Sequence, residues 1–202
     1  MKLYYAPGAC SVSPHIVLQE SGLKYDVEKV NLAEGKTEGG ADFKAINPKS
    51  QVPTLQLDDG SILTEGAVIV QYIADNAPNA DLIAKPGTME RYRTQEWLNF
   101  TASELHKTMG PLFRPTTPDA FKEISMQTMD RKFNDLERHL KGKQYLMGDK
   151  FTVADAYCYT ILRWIPRTKI DLSKYPNVKA YHDRVAARPK VQEVLKSEGL
   201  TA

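Results

Sequence analysis

The hydrophobic pattern of this chain changes its period once, between Ala77 and Gly87, and that change limits what the chain can fold into. Ahead of it, short stretches with strand-like alternation take turns with stretches of helical spacing. Beyond it, from Met89 onward, only the three-to-four-residue helical spacing remains. The link is punctuated by Ala77-Pro78-Asn79 and Lys85-Pro86-Gly87, residues that stop regular structure. The pattern predicts an α/β unit over 1-80 and an all-helical unit over 88-202. A chain of 202 residues, 42% hydrophobic, carries enough apolar side chains for one or two such cores.

Within the first unit the order reads βαβ and then ββα. Lys2 to Tyr5 is a strand, and Tyr25 to Val30 is a second, half-buried one. Between them Ser11 or Ser13 serves as N-cap, Pro14 sits in the first turn, Ile16, Val17 and Leu18 supply the apolar residues, and Gly22 stops the helix. A Gly-rich loop (Gly35, Gly39, Gly40) and a short helical piece from Ala41 to Ile46 lead to a strand over Val52 to Leu57. Asp58-Asp59-Gly60 then turns the chain into a brief strand at Ile62-Leu63. Thr64 is placed to cap the next helix, whose apolar positions are Ile69, Val70 and Ile73.

In the second unit Leu98, Ala102, Leu105, Met109 and Leu112 form one apolar stripe, and Met129, Phe133, Leu136 and Leu140 form another. Phe151-Thr152-Val153-Ala154-Asp155 has the form of a capping box. The helix it opens is apolar at Val153, Ala156, Tyr157, Ile161 and Trp164, which predicts a central position. Helices at Val178 to Ala187 and Val191 to Ser197 end the chain.

The formal net charge is only +2, with both signs interleaved, so no basic stripe points to nucleic acid or to an anionic membrane. No apolar run is long enough to span a bilayer, and Met1-Lys2 leads straight into a strand without a signal-peptide core. The expected location is the cytoplasm. Cys10 and Cys158 are too far apart for a C-x-x-C pair, and with the four histidines they form no zinc pattern, so no metal is expected.

Four places could carry chemistry. Cys10 stands just ahead of the first helix, where unpaired N–H groups and the helix dipole favour a thiolate; a small buried hydrophobe is the other reading, and position leaves both open. Val52-Pro53 opens a strand, and sequence alone favours the trans isomer. A cis bond there would turn the N–H and C=O of Val52 toward a peptide ligand. Thr64-Glu65-Gly66 begins a helix, where the Gly66 N–H suits a carboxylate and the Glu65 carboxylate suits an ammonium; together they would read an amino-acid head group, and a plain helix N-terminus with a dipole-favoured Glu is the other reading. Asn99, Ser103 and His106 step by four and three along one helix face. His15, His139 and His182 have no comparable companions.

Five segments in order, KLYYAPGACSVSPHI, INPKSQVPTLQLDDG, LTEGAVIVQYIAD, EWLNFTASELHK and GDKFTVADAY, resemble the cytosolic glutathione S-transferases, and Cys10 narrows the resemblance to their bacterial beta class. The resemblance implies a thioredoxin-like domain followed by a helical bundle, with glutathione as co-substrate. It also implies that the Val52-Pro53 bond is cis, that the Val52 backbone pairs with the cysteinyl unit, and that Glu65 and Gly66 hold the γ-glutamyl end. Cys10 is implied to lie beside the glutathione sulfur, able to form a mixed disulfide with it. Asn99 and His106 are implied to line the site, while Ser103 and Glu104 reach the glutathione of a second copy in a homodimer. Lys36 is the nearest loop lysine for the glycyl carboxylate. Gly66 departs from the serine common at its position and leaves only a backbone donor.

The implied reaction is attack of the glutathione thiolate on a small hydrophobic electrophile, with His106 as a possible donor. Tyr5, Phe113, Trp164 and Thr168 are candidates for the second-substrate pocket, and core packing explains each equally well. The alternatives are a thiol transferase or dehalogenase acting through Cys10, and a non-catalytic binding module of the same fold.

Overall fold

The computed structural model describes residues 1–200 and forms two compact units. One is Met1–Ile83 together with the chain from Arg188 onward; the other is Ala84–Ala187. The first contains β1 (Lys2–Tyr5), α1 (Val12–Ser21), β2 (Asp26–Asn31), β3 (Lys36–Thr37), α2 (Phe43–Ile46), β4 (Thr54–Gln56), β5 (Ile62–Thr64) and α3 (Gly66–Asp75). The strands form one sheet in the order β3-β2-β1-β4-β5. β1 and β2 are parallel, as the helical crossover between them requires, and the other neighbours are antiparallel.

Leu3 and Tyr4 are consecutive on β1 and so face opposite sides of the sheet. Tyr4 joins Ala6, Val30, Phe43 and Val52 in one buried cluster. α1 and α3 pack against each other and on the sheet through Ile16, Val17, Leu18, Ile69, Val70 and Ile73, all buried. Each such side chain contributes roughly 1.5–3 kcal/mol when fully buried. Gly22 closes α1 at φ +71°, the left-handed position that made it legible as a stop.

Two local expectations fail here. Ser11 stands at the N-cap of α1, yet its hydroxyl makes no cap bond. It instead donates to the Ala6 carbonyl at 3.2 Å and accepts from the Ala6 N–H at 3.1 Å, folding the turn back on the end of β1. Thr64 is the last residue of β5, and the N-cap of α3 is Glu65. The Gly-rich loop also hides β3, two residues too short to show a period.

The second unit holds α4 (Met89–Phe100), a π-helical stretch (Thr101–His106), α5 (Lys107–Met109), α6 (Asp119–Leu140), α7 (Val153–Leu162) and α8 (Pro176–Ala186). All ten residues of α7 are buried, in the central position its pattern predicted. It packs against α4 and α8, and α6 packs against α8. The capping box at its start is formed. Asp155 accepts from the Thr152 N–H at 2.8 Å, the Thr152 hydroxyl at 2.9 Å, the Leu146 N–H at 2.8 Å and the Tyr181 hydroxyl at 3.1 Å. Burial nevertheless pushes its carboxyl up to about 6. Trp164 falls beyond the end of α7, in a 3₁₀ turn's cap position.

The last helix, α9 (Pro189–Ser197), packs on α1 and belongs with the sheet. The sequence pattern over 88-202 puts this tail, whose final two positions lie outside the described residues, with the helical half. Its buried Val191, Val194 and Leu195 would suit either core. The choice is made by partners far away in sequence: Arg188 Nε meets Glu20 at 2.7 Å, and Gln19 donates to Glu193 at 2.6 Å.

Candidate active site

The strand register gathers most of the singled-out residues of the first unit at one end of the sheet. Tyr4 lies opposite Thr54, and Thr54 lies opposite Thr64. Cys10 follows the end of β1, Pro53 directly precedes Thr54, and Glu65 directly follows Thr64, so all three emerge on the same side. Lys36 pairs with Asn31 at the end of β2, which runs parallel to β1, and so starts β3 at this end too. Ligands in open α/β sheets commonly bind outside the carboxyl ends of strands, where connections diverge.

Cys10 sits in the turn between β1 and α1, part-buried, and its Sγ donates to the Val52 carbonyl at 3.3 Å. Burial pushes the thiol up to about 11, against the pull of the Cys10 and Ser11 N–H groups, and the Glu65 charge pushes the same way. The thiolate expected from the helix start is therefore not the favoured form. Loss of water outweighs the helix end when an anion is withdrawn from solvent.

The Val52-Pro53 bond is cis, as the family resemblance implies and against the preference of an isolated X-Pro pair. The loop ahead of it is organised by Asn47, a buried residue that no motif in the sequence marks. Asn47 Nδ2 donates to the Gln51 carbonyl at 2.9 Å and to Thr54 Oγ1 at 2.8 Å, and its Oδ1 accepts from the Lys49 N–H at 3.0 Å. Lys49 is then brought to the start of α3, where its Nζ lies 3.0 Å from Thr64 Oγ1 and 3.2 Å from Glu65 Oε1. The signal for Lys49 was the Asn47-Pro48 turn beside it, which directs the loop back toward the sheet.

Glu65 has φ +71° and ψ 111°, a conformation that side-chain-bearing residues rarely adopt. Such a strained residue persists only where its surroundings hold it, and these positions concentrate at functional sites. Its side chain is 67% exposed, so the carboxylate is open to a soluble cation. Gly66 is the first residue of α3, where helix geometry leaves the leading N–H groups without an intrahelical acceptor. The Lys36 side chain is exposed, and it is Lys49 that pairs with the Glu65 carboxylate.

In the helical unit the strip Asn99-Ser103-His106 is broken. The sequence spacing assumed 3.6 residues per turn throughout, but residues 101–106 are wound as a π-helix, and the Lys107 N–H reaches the Ala102 carbonyl five residues back. Ser103 is exposed and its hydroxyl donates to the Asn99 carbonyl at 2.9 Å, a bond that competes with the α-helical ladder. Asn99 is exposed as well. Glu104 pairs with Lys132 at 2.7 Å.

His106 turns to the unit's interior, with Nδ1 2.9 Å from the Tyr157 hydroxyl and its ring 5.0 Å from Trp164. Burial, and secondarily Lys107, lowers its pKa to about 4, so the imidazole is neutral at physiological pH. Phe113 packs edge-on to Trp164 at 5.7 Å, and Arg167 lies 5.3 Å from the Phe113 ring centre. Tyr5, in the other unit, stacks 5.7 Å from His15. Among the described residues no helix is long and apolar enough to cross a membrane, and no group of three or more His, Cys, Asp or Glu could hold a metal.

The model of the "Glutathione S-transferase, N-terminal domain" matches residues 9–76, and that of the "Glutathione S-transferase, C-terminal domain" matches residues 100–189. Glutathione S-transferase GstA of Escherichia coli O157:H7 is 46% identical over 200 residues, covering 99% of this chain and 100% of GstA. A sphingomonad glutathione S-transferase, solved in complex with glutathione, is 43% identical with a TM-score of 0.95, each chain covered in full. The beta-class glutathione S-transferase of Sphingomonas chungbukensis is 45% identical with a TM-score of 0.95, again with full coverage of both. With family models matching both halves, and relatives of this identity covering its whole length, the chain belongs to the glutathione S-transferases, and its likeness is to their bacterial beta class.

Proposed function

We propose that the protein binds reduced glutathione at the end of the sheet where Cys10, Val52-Pro53 and Glu65 converge, and transfers it to small hydrophobic electrophiles. The observation that carries this reading is Glu65, a non-glycine residue held at φ +71° with its carboxylate open to solvent beside the start of α3. A γ-glutamyl group presents one ammonium and one carboxylate. The Glu65 carboxylate matches the first and the Gly66 N–H matches the second. The Val52 carbonyl, which already accepts from Cys10, has a second lone pair for a cysteinyl N–H.

The reaction asks little covalent chemistry of the protein. The backbone N–H groups of Cys10 and Ser11, which already lower the Cys10 pKa, are placed to stabilise an incoming thiolate in the same way. The glutathione thiolate attacks the electrophilic carbon and the leaving group departs with the bonding pair. His106, neutral and with one ring nitrogen engaged by Tyr157, is assigned the role of hydrogen-bond partner rather than base. Asn99, Ser103, Glu104 and Lys36 are assigned to glutathione through the resemblance alone, as are the homodimer and the cytoplasmic location. Lys49 is a better-supported anchor on the Glu65 side, since it pairs with that carboxylate.

Cys10 is not required for conjugation on this reading. Its raised pKa weighs against the thiol-transferase alternative, in which it would be the attacking group. Given glutathione disulfide, the Cys10 thiolate can still displace one glutathione thiolate and leave a mixed disulfide. Calorimetric titration with reduced glutathione, paired with conjugation of a chloronitroarene, tests the proposal. Saturable binding with chloride release is expected for wild type and for Cys10→Ala. Absence of binding at millimolar glutathione would remove the reading.

A further inference from the structure

The loop before the cis proline and the turn before α3 meet through one exposed ion pair. Lys49 Nζ lies 3.2 Å from Glu65 Oε1 and donates to Thr64 Oγ1 at 3.0 Å. Both partners stand in open solvent, with side chains 55% and 67% exposed. The segments that carry them are fixed separately. Asn47 Oδ1 accepts from the Lys49 N–H at 3.0 Å, its carbonyl accepts from the Ser50 N–H at 2.8 Å, and its amide holds Gln51 and Thr54. The Glu65 carbonyl accepts from the Val68 and Ile69 N–H groups, each at 2.9 Å, which ties the residue into the first turn of α3.

Stability does not account for the arrangement. Among the described residues only three that are not glycine have a positive φ, and two of them flank this pair: Ser50 at +51° and Glu65 at +71°. Such conformations cost free energy at each residue. An exposed ion pair is screened by water and returns little. What the two strained segments achieve is placement: a cation and an anion are held side by side at the start of α3, where Gly66 contributes a backbone N–H and no side chain. An α-amino acid carries the same two charges on one carbon, about as close together as those of Lys49 and Glu65.

We propose that Lys49 is a specificity-determining residue of the glutathione site: it leaves Glu65 for the α-carboxylate of the γ-glutamyl group while the ligand ammonium takes its place on Glu65. The inference rests on the glutathione reading, and it assigns a partner to the head-group charge for which Gly66 supplies only an N–H. The exchange replaces one ion pair by two charge-assisted contacts and leaves no charge unpaired on either side. Lys49 suits it because a flexible stem carries a point charge with three donors, one of which already reaches Thr64. A γ-glutamyl group whose carboxylate is blocked gives Lys49 nothing to move to, so the internal pair stays closed against the ligand ammonium.

The test is calorimetric titration of the full-length protein with two ligands: glutathione, and its analogue in which the γ-glutamyl α-carboxylate is a primary amide. Lys49→Met should weaken glutathione binding about tenfold, the lower end for a hydrogen bond between charged groups, and wild type should lose about the same factor on passing to the amide. Lys49→Met should bind the amide no more weakly than wild type does. Gly66 has no positive φ, so Gly66→Ser fits the backbone and supplies a hydroxyl donor at the head of α3. In that background Lys49→Met should cost no more than about twofold. Lys44→Met, which removes an exposed cation from α2, should move neither ligand beyond about twofold.

Equal loss for both ligands in Lys49→Met would make the lysine a prop for its loop and overturn the proposal. So would tighter glutathione binding, which would make Lys49 only a competitor of the ligand ammonium, and so would an unchanged affinity. Thermal unfolding of each variant separates a loss of binding from a loss of fold. If wild type binds no glutathione, the glutathione reading falls and this inference with it. Intact wild-type binding with Lys49→Met at full affinity removes the Lys49 role alone.

Discussion

Cys10 and Glu65 stand at the starts of two helices, at the same end of the same sheet, and the two positions behave in opposite ways. Elementary electrostatics treats them alike, since the leading N–H groups of a helix favour an anion in either place. At Glu65 the side chain stays in solvent and the strain is borne by the backbone, at φ +71°. At Cys10 the backbone takes no positive φ, the sulfur is withdrawn from water, and the thiol is pushed up to about 11. Asp155, at the start of α7, makes a third case: fully buried, with four hydrogen-bond donors, its carboxyl still rises to about 6. The difference teaches that a helix start stabilises charge only while desolvation is small; once the group is buried, burial decides.

The largest expected effect is at Asp155. Asp155→Ala would leave buried donors of Thr152, Leu146 and Tyr181 without an acceptor and should cost about 4 kcal/mol in urea unfolding. The same group fixes a pH dependence. Because the folded pKa lies above the ordinary carboxylate value, the folded protein holds this proton more tightly than the unfolded chain does. The group's stabilising contribution is therefore full at acid pH and is lost as pH rises through about 6. Asp155→Asn should flatten the stability profile across that window; an unchanged slope would show that donors, not burial, set this carboxyl.

Next comes glutathione affinity. Glu65→Ala should weaken binding by about tenfold to a hundredfold, the range for loss of a hydrogen bond to a charged group. Calorimetry that finds affinity untouched would move the γ-glutamyl site elsewhere. For Cys10, alkylation of the ligand-free protein should accelerate about tenfold per pH unit between about pH 7 and 9 without a plateau, because the thiolate fraction rises that way far below the pKa. A plateau near neutrality would reverse the contrast drawn with Glu65. The smallest effect sharpens it: Glu65→Gly should stabilise the fold by about 1 kcal/mol through relief of the positive φ, while binding falls as it does in Glu65→Ala.

The parts of this site that were legible in the sequence are those fixed within a turn or two of chain. Thr152 and Asp155 are three residues apart, Gly22 ends α1 by its own conformation, and Glu65-Gly66 follow directly from the end of β5. His106 shows where local reading fails. Its spacing from Ser103 and Asn99 suggested one polar face, but the Ser103 hydroxyl bonds the Asn99 carbonyl and the π-helical winding turns the imidazole to Tyr157. Lys49 is legible only in part: the Asn47-Pro48 turn beside it marks a loop, but its partner Glu65 lies sixteen residues on.

By itself the sequence determined the α/β-then-α order, the capped start of α7, and the presence of a cysteine, a Val-Pro pair and a glutamate at the boundaries of strands and helices. Periodicity and capping act over about four residues, and the chain carries them wherever it folds. Only the tertiary structure decided that α9 returns to the sheet, that Lys49 meets Glu65, and that Cys10 is a protonated thiol against the Val52 carbonyl. Those outcomes depend on which distant segment excludes water from which group, and burial is a property of the assembled core rather than of any stretch of the chain.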